Sequence, residues 1–485
     1  MYKKFLTTSV VLFAACSTPA YRASEVPVPA TYGVARTTAL TTVPVAAIPD
    51  SAAQAVYLSH AVAPAPFWSE LGDTVLVSLV REAQRANMDV RVAQSRVVSA
   101  RASKRLAAFD LVPTVTGIGS SSRVQQSVAQ IPGITSQLPA QQLWDVGFDA
   151  SWELDVFGRV GRKVMAQSAL VESSEEGLSD MQVTVAAEVA RTYFELRGAQ
   201  RQLAVAQQNA NNQRETVKLT ENRLGAGSGT AFDTERAKSI LYLTLASTPL
   251  LEAQIAQDRN RIAVLLGRSP DALPAALIDS GVLPRLPDTL YVASPDQLVR
   301  HRPDVLQAER QLAARSLFVG AARAEYLPRI TLNAQAGYVG TSADSVFKRG
   351  NSRLLIGPVL TFPLFDMGRV RERVQVAQAG EQEAEAQYNS TVLRALEESE
   401  SSLVAYDRAH ARLAILEDAV KSSERASDLA KQRFEAGLTD FLQVLDAERT
   451  LLDAQNQLVE GRTTAAVALV AVYKSVGGAF PARTK

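Results

Sequence analysis

The stretch from residue 144 to 159, WDVGFDASWELDVFGR, constrains this chain more than any other. Trp144, Val146, Phe148, Ala150, Trp152, Leu154 and Val156 alternate with Asp145, Gly147, Asp149, Ser151, Glu153 and Asp155. That is the period of a β-strand with one apolar and one polar face. Acidic residues on alternate positions over such a length do not suit an ordinary core. They suit a wall between lipid and water.

The chain has 485 residues, enough for more than one domain. Its 51 Lys and Arg nearly cancel its 50 Asp and Glu, so no general attraction to nucleic acid or anionic lipid follows. His60, His301 and His410 lie far apart and there is a single cysteine, so neither a metal site nor a disulfide framework is expected within one chain. The cysteine matters by its position. Lys3 and Lys4 precede an apolar run from Phe5 to Ala15, laid out like an export signal and too short to span a bilayer. Phe13-Ala14-Ala15-Cys16 resembles a bacterial lipobox, with Phe13 where leucine is usual. That resemblance implies cleavage before Cys16 and a covalent lipid on its sulfur, and Ser17 after it implies outer-membrane delivery. An ordinary secretory signal with a chance cysteine is the alternative.

Residues 17 to 66 carry prolines at 19, 27, 29, 44, 49, 64 and 66 and read as an extended tether with no core of its own. One helical pattern follows from Asp73 to Phe109, then a weaker strand over 114–122, a polar loop over 123–143 and the opening strand. Residues 160 to 224 contain no proline and predict a helix of roughly 98 Å at 1.5 Å per residue. Val189, Leu196 and Leu203 recur every seven residues, as do Leu178 and Val185 one register earlier, which is a coiled-coil seam with a shift. Gly225 to Gly229 should stop this helix, and Thr230 with Asp233 should start the next, which Pro249 should kink. Gly225-Ala-Gly-Ser-Gly-Thr230 is no phosphate loop, because it follows a helix and lacks the Walker lysine.

The pattern then recurs. Asp89, Val90, Ala93 and Pro113 match Asp304, Val305, Ala308 and Pro328 at an offset of 215. Leu154, Gly158, Arg159, Leu203, Arg223, Ala226, Gly227 and Ala237 match Leu364, Gly368, Arg369, Leu413, Arg433, Ala436, Gly437 and Ala447 at an offset of 210. The change of offset falls between the two strands of each half, where insertions are tolerated. The unit duplicated is helix, strand, strand, very long helix, tight turn, helix. In the second half the strands are expected around 330–338 and 353–364, the latter interrupted by Pro358. Residues 364 to 480 contain no proline and should hold two long helices meeting near Gly437, the last with Leu438, Leu445, Leu452 and Val459 at heptad spacing.

Four strands cannot close a membrane barrel, and open edges are not tolerated in lipid, so the barrel must be shared among chains. Helices near 100 Å must pack along one another, since no globular core is that long. The fold class expected is mostly α with a membrane β-barrel portion, a cylinder of helices below a shared barrel.

Residues 87–90 (NMDV), 153–159 (ELDVFGR), 302–305 (RPDV), 362–369 (FPLFDMGR) and the paired Arg-x-x-x-Gly turns, in order and duplicated, resemble the TolC-like outer-membrane factor family, in its lipoprotein (OprM/NodT-like) branch. The resemblance runs from Phe67-Trp68 to Gly477-Gly478. It implies a homotrimer whose twelve strands form one barrel, a periplasmic helical tunnel, a periplasmic adaptor, and an inner-membrane pump, foremost of the resistance-nodulation-division type. The domains expected are a signal peptide over 1–15, a lipid-anchored segment over 16–66, a first repeat over 67–268, a connection over 269–302, a second repeat over 303–480 and a tail over 481–485.

No catalytic constellation, nucleotide site or cofactor other than the Cys16 lipid is expected. Within the resemblance, the turns at Arg223–Gly227 and Arg433–Gly437 are hairpin tips that face the adaptor, although arginine and glycine there also serve helix capping. Leu442 and Asp446 share one helix face and, with Arg433, match the segment that narrows the tunnel. Lys431 stands where that pattern has a tyrosine. The bland alternative seats Leu442 in the helix seam and pairs Asp446 with Arg449 or Arg236. Gly158-Arg159 and Gly368-Arg369 mark where barrel wall becomes tunnel helix. The strand over 144–156 would cover about 43 Å against a ~25 Å apolar band, so its Asp155 end should emerge into the periplasm. The function expected is a passive outer-membrane exit duct for small molecules such as drugs or metal ions. A type I protein-secretion duct and a non-conducting lipid-anchored coiled-coil protein are the alternatives.

Overall fold

The computed structural model describes residues 65–125, 139–272, 274–278, 283–287 and 294–478, together with 27–29, 32, 127, 133, 136, 137 and 281. Cys16 and the signal segment lie outside them. Helices α1 (Ala65–Glu70), α2 (Thr74–Ala86) and α3 (Met88–Phe109) lead into β1 (Thr114–Val124) and β2 (Gln141–Leu154), then α4 (Arg159–Gly225) and α5 (Ala231–Leu265). The second half repeats the plan with α6 (Pro295–His301), α7 (Pro303–Arg323), β3 (Arg329–Gly340), β4 (Ser352–Thr361), α8 (Met367–Glu435) and α9 (Phe441–Ser475). The duplication is thus visible element by element. Among the described residues no helix is long and apolar enough to cross a membrane.

The described residues divide into two compact units, and each draws on both repeats: those within 96–175 and 307–389 form one, and those within 26–95, 176–306 and 390–478 the other. In the first, the four strands pair antiparallel in the order β1-β2-β3-β4. Among the described residues β1 and β4 end the sheet with one edge each unpaired, and Pro358 sits on the β4 edge where its missing N–H is tolerated. One face exposes Val115, Phe148, Leu354, Ile356 and Leu360. The opposite face is hollow, a concavity of about 450 Å³ lined by Thr114, Thr116, Asp149, Asn333 and Gln335 together with Leu355 and Val359 of β4.

Several expected boundaries move for local reasons. The single helix over 73–109 is two, α2 and α3, broken at Asn87, whose backbone is extended and whose Oδ1 accepts from the Asp89 and Val90 N–H groups to cap α3. β2 covers 141–154 rather than 144–156, because the Asp155 carboxylate turns back to accept from Val160 and Gly161 and cap α4. β4 stops at Thr361, short of Pro363 and Leu364. Leu438 leaves the expected heptad: it lies in the turn, 70% exposed, while Phe441, Val444 and Leu445 are buried. The earlier seam holds, with Val189 and Leu196 fully buried and Leu178 and Leu203 packed on the same cluster.

That cluster is the core of the second unit. Trp68, Leu76, Val80, Tyr193, Phe194 and Ile262 interlock there, and Trp68 meets Tyr473 at 4.5 Å between ring centroids. Among the few described residues of the 17–66 segment, expected to have no core of its own, Tyr32 is buried against Leu403, Tyr406, Leu469 and Val472.

Each repeat is closed by an equivalent polar contact made with a different side chain. Asn87 donates from Nδ2 to the Leu265 carbonyl at 2.9 Å, at the end of α5. Arg302, its counterpart at offset 215, donates from Nη1 to the Ser475 carbonyl at 3.0 Å, at the end of α9. Arg302 is 5% exposed and its charge is met by Asp304 at 2.6 Å and Glu398 at 2.8 Å. Asp180 shares this pocket of charge. Burial, and then the Asp304 carboxylate, push its carboxyl up to about 6.

A carboxyl raised above its ordinary 3.8 makes the ionised form a cost to folding, absent at low pH, growing between pH 4 and 6 and full above that. Asp180→Asn should therefore raise stability by about 1–3 kcal/mol at pH 8 and by little at pH 4. Thermal melts of the two proteins across this range check it, and an equal difference at both ends would refute the assignment.

Candidate functional site

The two hairpin turns have one construction. In the first, the Ser228 N–H reaches the Arg223 carbonyl at 2.9 Å and the Gly227 N–H reaches Leu224 at 3.0 Å; in the second, Leu438 reaches Arg433 at 2.8 Å and Gly437 reaches Phe434 at 3.0 Å. Gly227 and Gly437 take φ of +72° and +73°, which closes α4 and α8 in the left-handed conformation that glycine adopts without penalty. The next helices start alike. Thr230 Oγ1 accepts from the Asp233 N–H at 3.1 Å and donates to its carboxylate, and Asp440 Oδ1 accepts from the Gln443 N–H at 3.2 Å.

The turns meet through a cation–π contact. The Arg223 guanidinium lies 4.3 Å from the centre of the Phe434 ring, and Phe434 packs on Phe441 at 5.4 Å. A recess of about 360 Å³ at this point is lined by Arg223, Phe232, Arg236, Phe434 and Leu442. Arg223 thus holds the first tip to the second, while the Arg433 side chain is exposed.

Leu442 is 46% exposed and borders the recess beside Phe434 and Phe441. Asp446 is exposed one turn further on and lines, with Arg236, Arg449 and Asp453, an open groove of about 730 Å³ between α4, α5 and α9. Among the described residues no ion pair joins Asp446 to Arg433, Arg236 or Arg449. Leu442 and Asp446 therefore present one face of α9.

Lys431 makes an ion pair across the second hairpin with Glu448 at 3.0 Å, and Thr216 of α4 donates to the same carboxylate oxygen at 3.2 Å. Glu448 is 8% exposed. At the equivalent positions of the first hairpin, Glu221 pairs with Lys238 at 3.2 Å. The two repeats carry the same pair with its charges reversed. Sequence reasoning missed Glu448, Glu221 and Lys238, although the 210 offset sets them in register.

The expected junctions differ in detail. Gly158, at φ +70°, precedes α4, and Arg159 grips Glu153 with two hydrogen bonds of 2.8 and 2.6 Å. Gly368 and Arg369 instead fall inside the first turn of α8, which begins two residues earlier than its counterpart, and Arg369 faces Asp366 at 3.3 Å.

A sequence profile of the family described as outer membrane efflux protein matches residues 79–268 and 294–478, one stretch in each repeat. The outer membrane protein OprJ of Pseudomonas aeruginosa is 32% identical over 411 residues, spanning 84% of this chain and 85% of that protein. The solvent efflux pump outer membrane protein SrpC of Pseudomonas putida is 30% identical over 412 residues, 84% and 86% of the two chains. The solved structure of the outer-membrane channel OprN superimposes with a TM-score of 0.83 at 33% identity, covering 96% of this chain and 99% of that one.

Because the first repeat already holds the Lys431–Glu448 pair in reversed order, the second should accept the reversal. Lys431→Glu and Glu448→Lys should each destabilise by about 1 kcal/mol or more, and the double substitution should recover most of the loss. A double-mutant cycle on melting midpoints measures this; strictly additive losses would show that the pair carries no coupling.

Proposed function

The chain belongs to the outer membrane efflux protein family, and from that premise we propose that it is the passive outer-membrane exit duct of a tripartite efflux system. The observation that carries this is the four-stranded sheet, with large apolar side chains exposed on one face, carboxylates, amides and hydroxyls beside Leu355 and Val359 on its hollow face, and, among the described residues, no strand paired to the outer edge of β1 or β4. In lipid, unpaired N–H and C=O groups are too costly to leave exposed, and β1 and β4 of neighbouring copies can satisfy them. Three copies give twelve strands, and the hollow polar faces then line one lumen.

In this reading the hairpin tips at Arg223, Gly227, Arg433 and Gly437 meet a periplasmic adaptor, and an inner-membrane pump of the resistance-nodulation-division type supplies the energy. Leu442 and Asp446, with Arg433 nearby, form the periplasmic constriction: threefold symmetry turns the exposed face of α9 into an apolar ring and a carboxylate ring. The lipid on Cys16 tethers the chain to the outer membrane. Tyr32, buried sixteen positions after it, fixes where that tether arrives. The solute is chosen by the pump, since a duct wall is generic.

In planar bilayers the purified protein should conduct, and Leu442→Ala with Asp446→Ala should raise conductance several-fold. Silence of both proteins would sink the duct reading. Cells fed labelled palmitate should label the wild type and leave Cys16→Ser unlabelled; equal labelling would place the lipid elsewhere.

A further inference from the structure

Ile118, Gly147, Gly337 and Arg353 lie side by side in one transverse row across the four strands. The two glycines are demanded by their close approach. A Cβ on Gly147 would come within 2.5 Å of the Ala336 carbonyl oxygen, and one on Gly337 within 2.4 Å of that of Val146. Their missing side chains leave a bare lane on the hollow face, and Arg353 lies along it. From β4 its guanidinium passes over β3 to reach Asp145 at 2.9 Å and Asp149 at 3.8 Å on β2, while Nη1 donates to Gln335 at 3.0 Å. Two strand spacings are roughly 9.6 Å, a reach that suits the long stem and forked head of arginine.

Asp145 and Asp149 flank Gly147 on the same face of β2. They and Arg353 remain 26 to 31% exposed toward the hollow, so solvent reaches them. Two carboxylates against one guanidinium leave one negative charge per protomer at this level. We propose that Arg353, laid over the Gly147–Gly337 lane between Asp145 and Asp149, sets the charge selectivity of the barrel lumen, which passes cations more readily than anions. This rests on the duct reading above. Around a threefold axis the row becomes a girdle of six carboxylates and three guanidinium groups, with the arginines moderating its negative field.

Three unit charges about 10 Å from a permeating ion, screened over about one Debye length, alter its population about twofold. The experiment measures reversal potential under a KCl gradient in planar bilayers, with Leu442→Ala and Asp446→Ala present throughout so that the proposed constriction adds no carboxylate ring. The ratio of potassium to chloride permeability should exceed one, rise about twofold or more in Arg353→Gln, stay unchanged in Arg353→Lys, and fall in Asp145→Asn/Asp149→Asn. The differences should shrink as salt rises. If Arg353→Gln does not assemble, Asp149→Asn alone must still lower the ratio. Conductance with one ratio in all variants overturns this proposal and leaves the duct standing. No conductance in any of them overturns both.

Discussion

An unpaired β-strand edge has no place in hydrocarbon, and that constraint organises the rest of the chain. Each backbone N–H or C=O left without a partner there costs several kcal/mol. Among the described residues the four strands leave two open edges, and it is on these that the proposed assembly rests. The chemistry of β1 to β3 agrees with that topology, with carboxylates, amides and hydroxyls on the hollow face, whereas β4 carries apolar side chains on both faces and adds Leu355 and Val359 to the hollow.

Duplication supplies the remainder, and it conserves geometry more closely than chemistry. The carbonyl at the end of α5 takes a hydrogen bond from Asn87, and the carbonyl at the end of α9 takes one from Arg302. The neutral amide needs nothing further. The guanidinium brings a buried charge, met by Asp304 and Glu398, while burial and the Asp304 carboxylate raise Asp180 against the arginine's opposing pull.

Much of this was legible in the sequence because it is periodic. Period-two alternation marked β2 and β3, heptad spacing marked the α4 seam, and glycines after arginine marked both helix ends. What escaped depends on a single side chain choosing a backbone partner. Nothing in the apolar pattern of 73–109 tells that Asn87 will cap a new helix, or that Asp155 will leave β2 to cap α4. Tyr32 escaped because three scattered tyrosines in a proline-rich segment have no periodicity to betray which is buried. Of the expected site, the tips and the shared face of Leu442 and Asp446 were readable. The Arg223–Phe434 contact joins residues 211 positions apart and was not.

The reversed ion pairs bear on how such a chain avoids confusing its halves. Two hairpins of equal plan, with α5 and α9 each 35 residues long, invite exchange of partners during folding. Were α4 to pair with α9 in place of α5, Glu221 would stand against Glu448. Were α8 to take α5, Lys431 would stand against Lys238. Each mistaken hairpin would set like charges together where the correct one sets opposite ones.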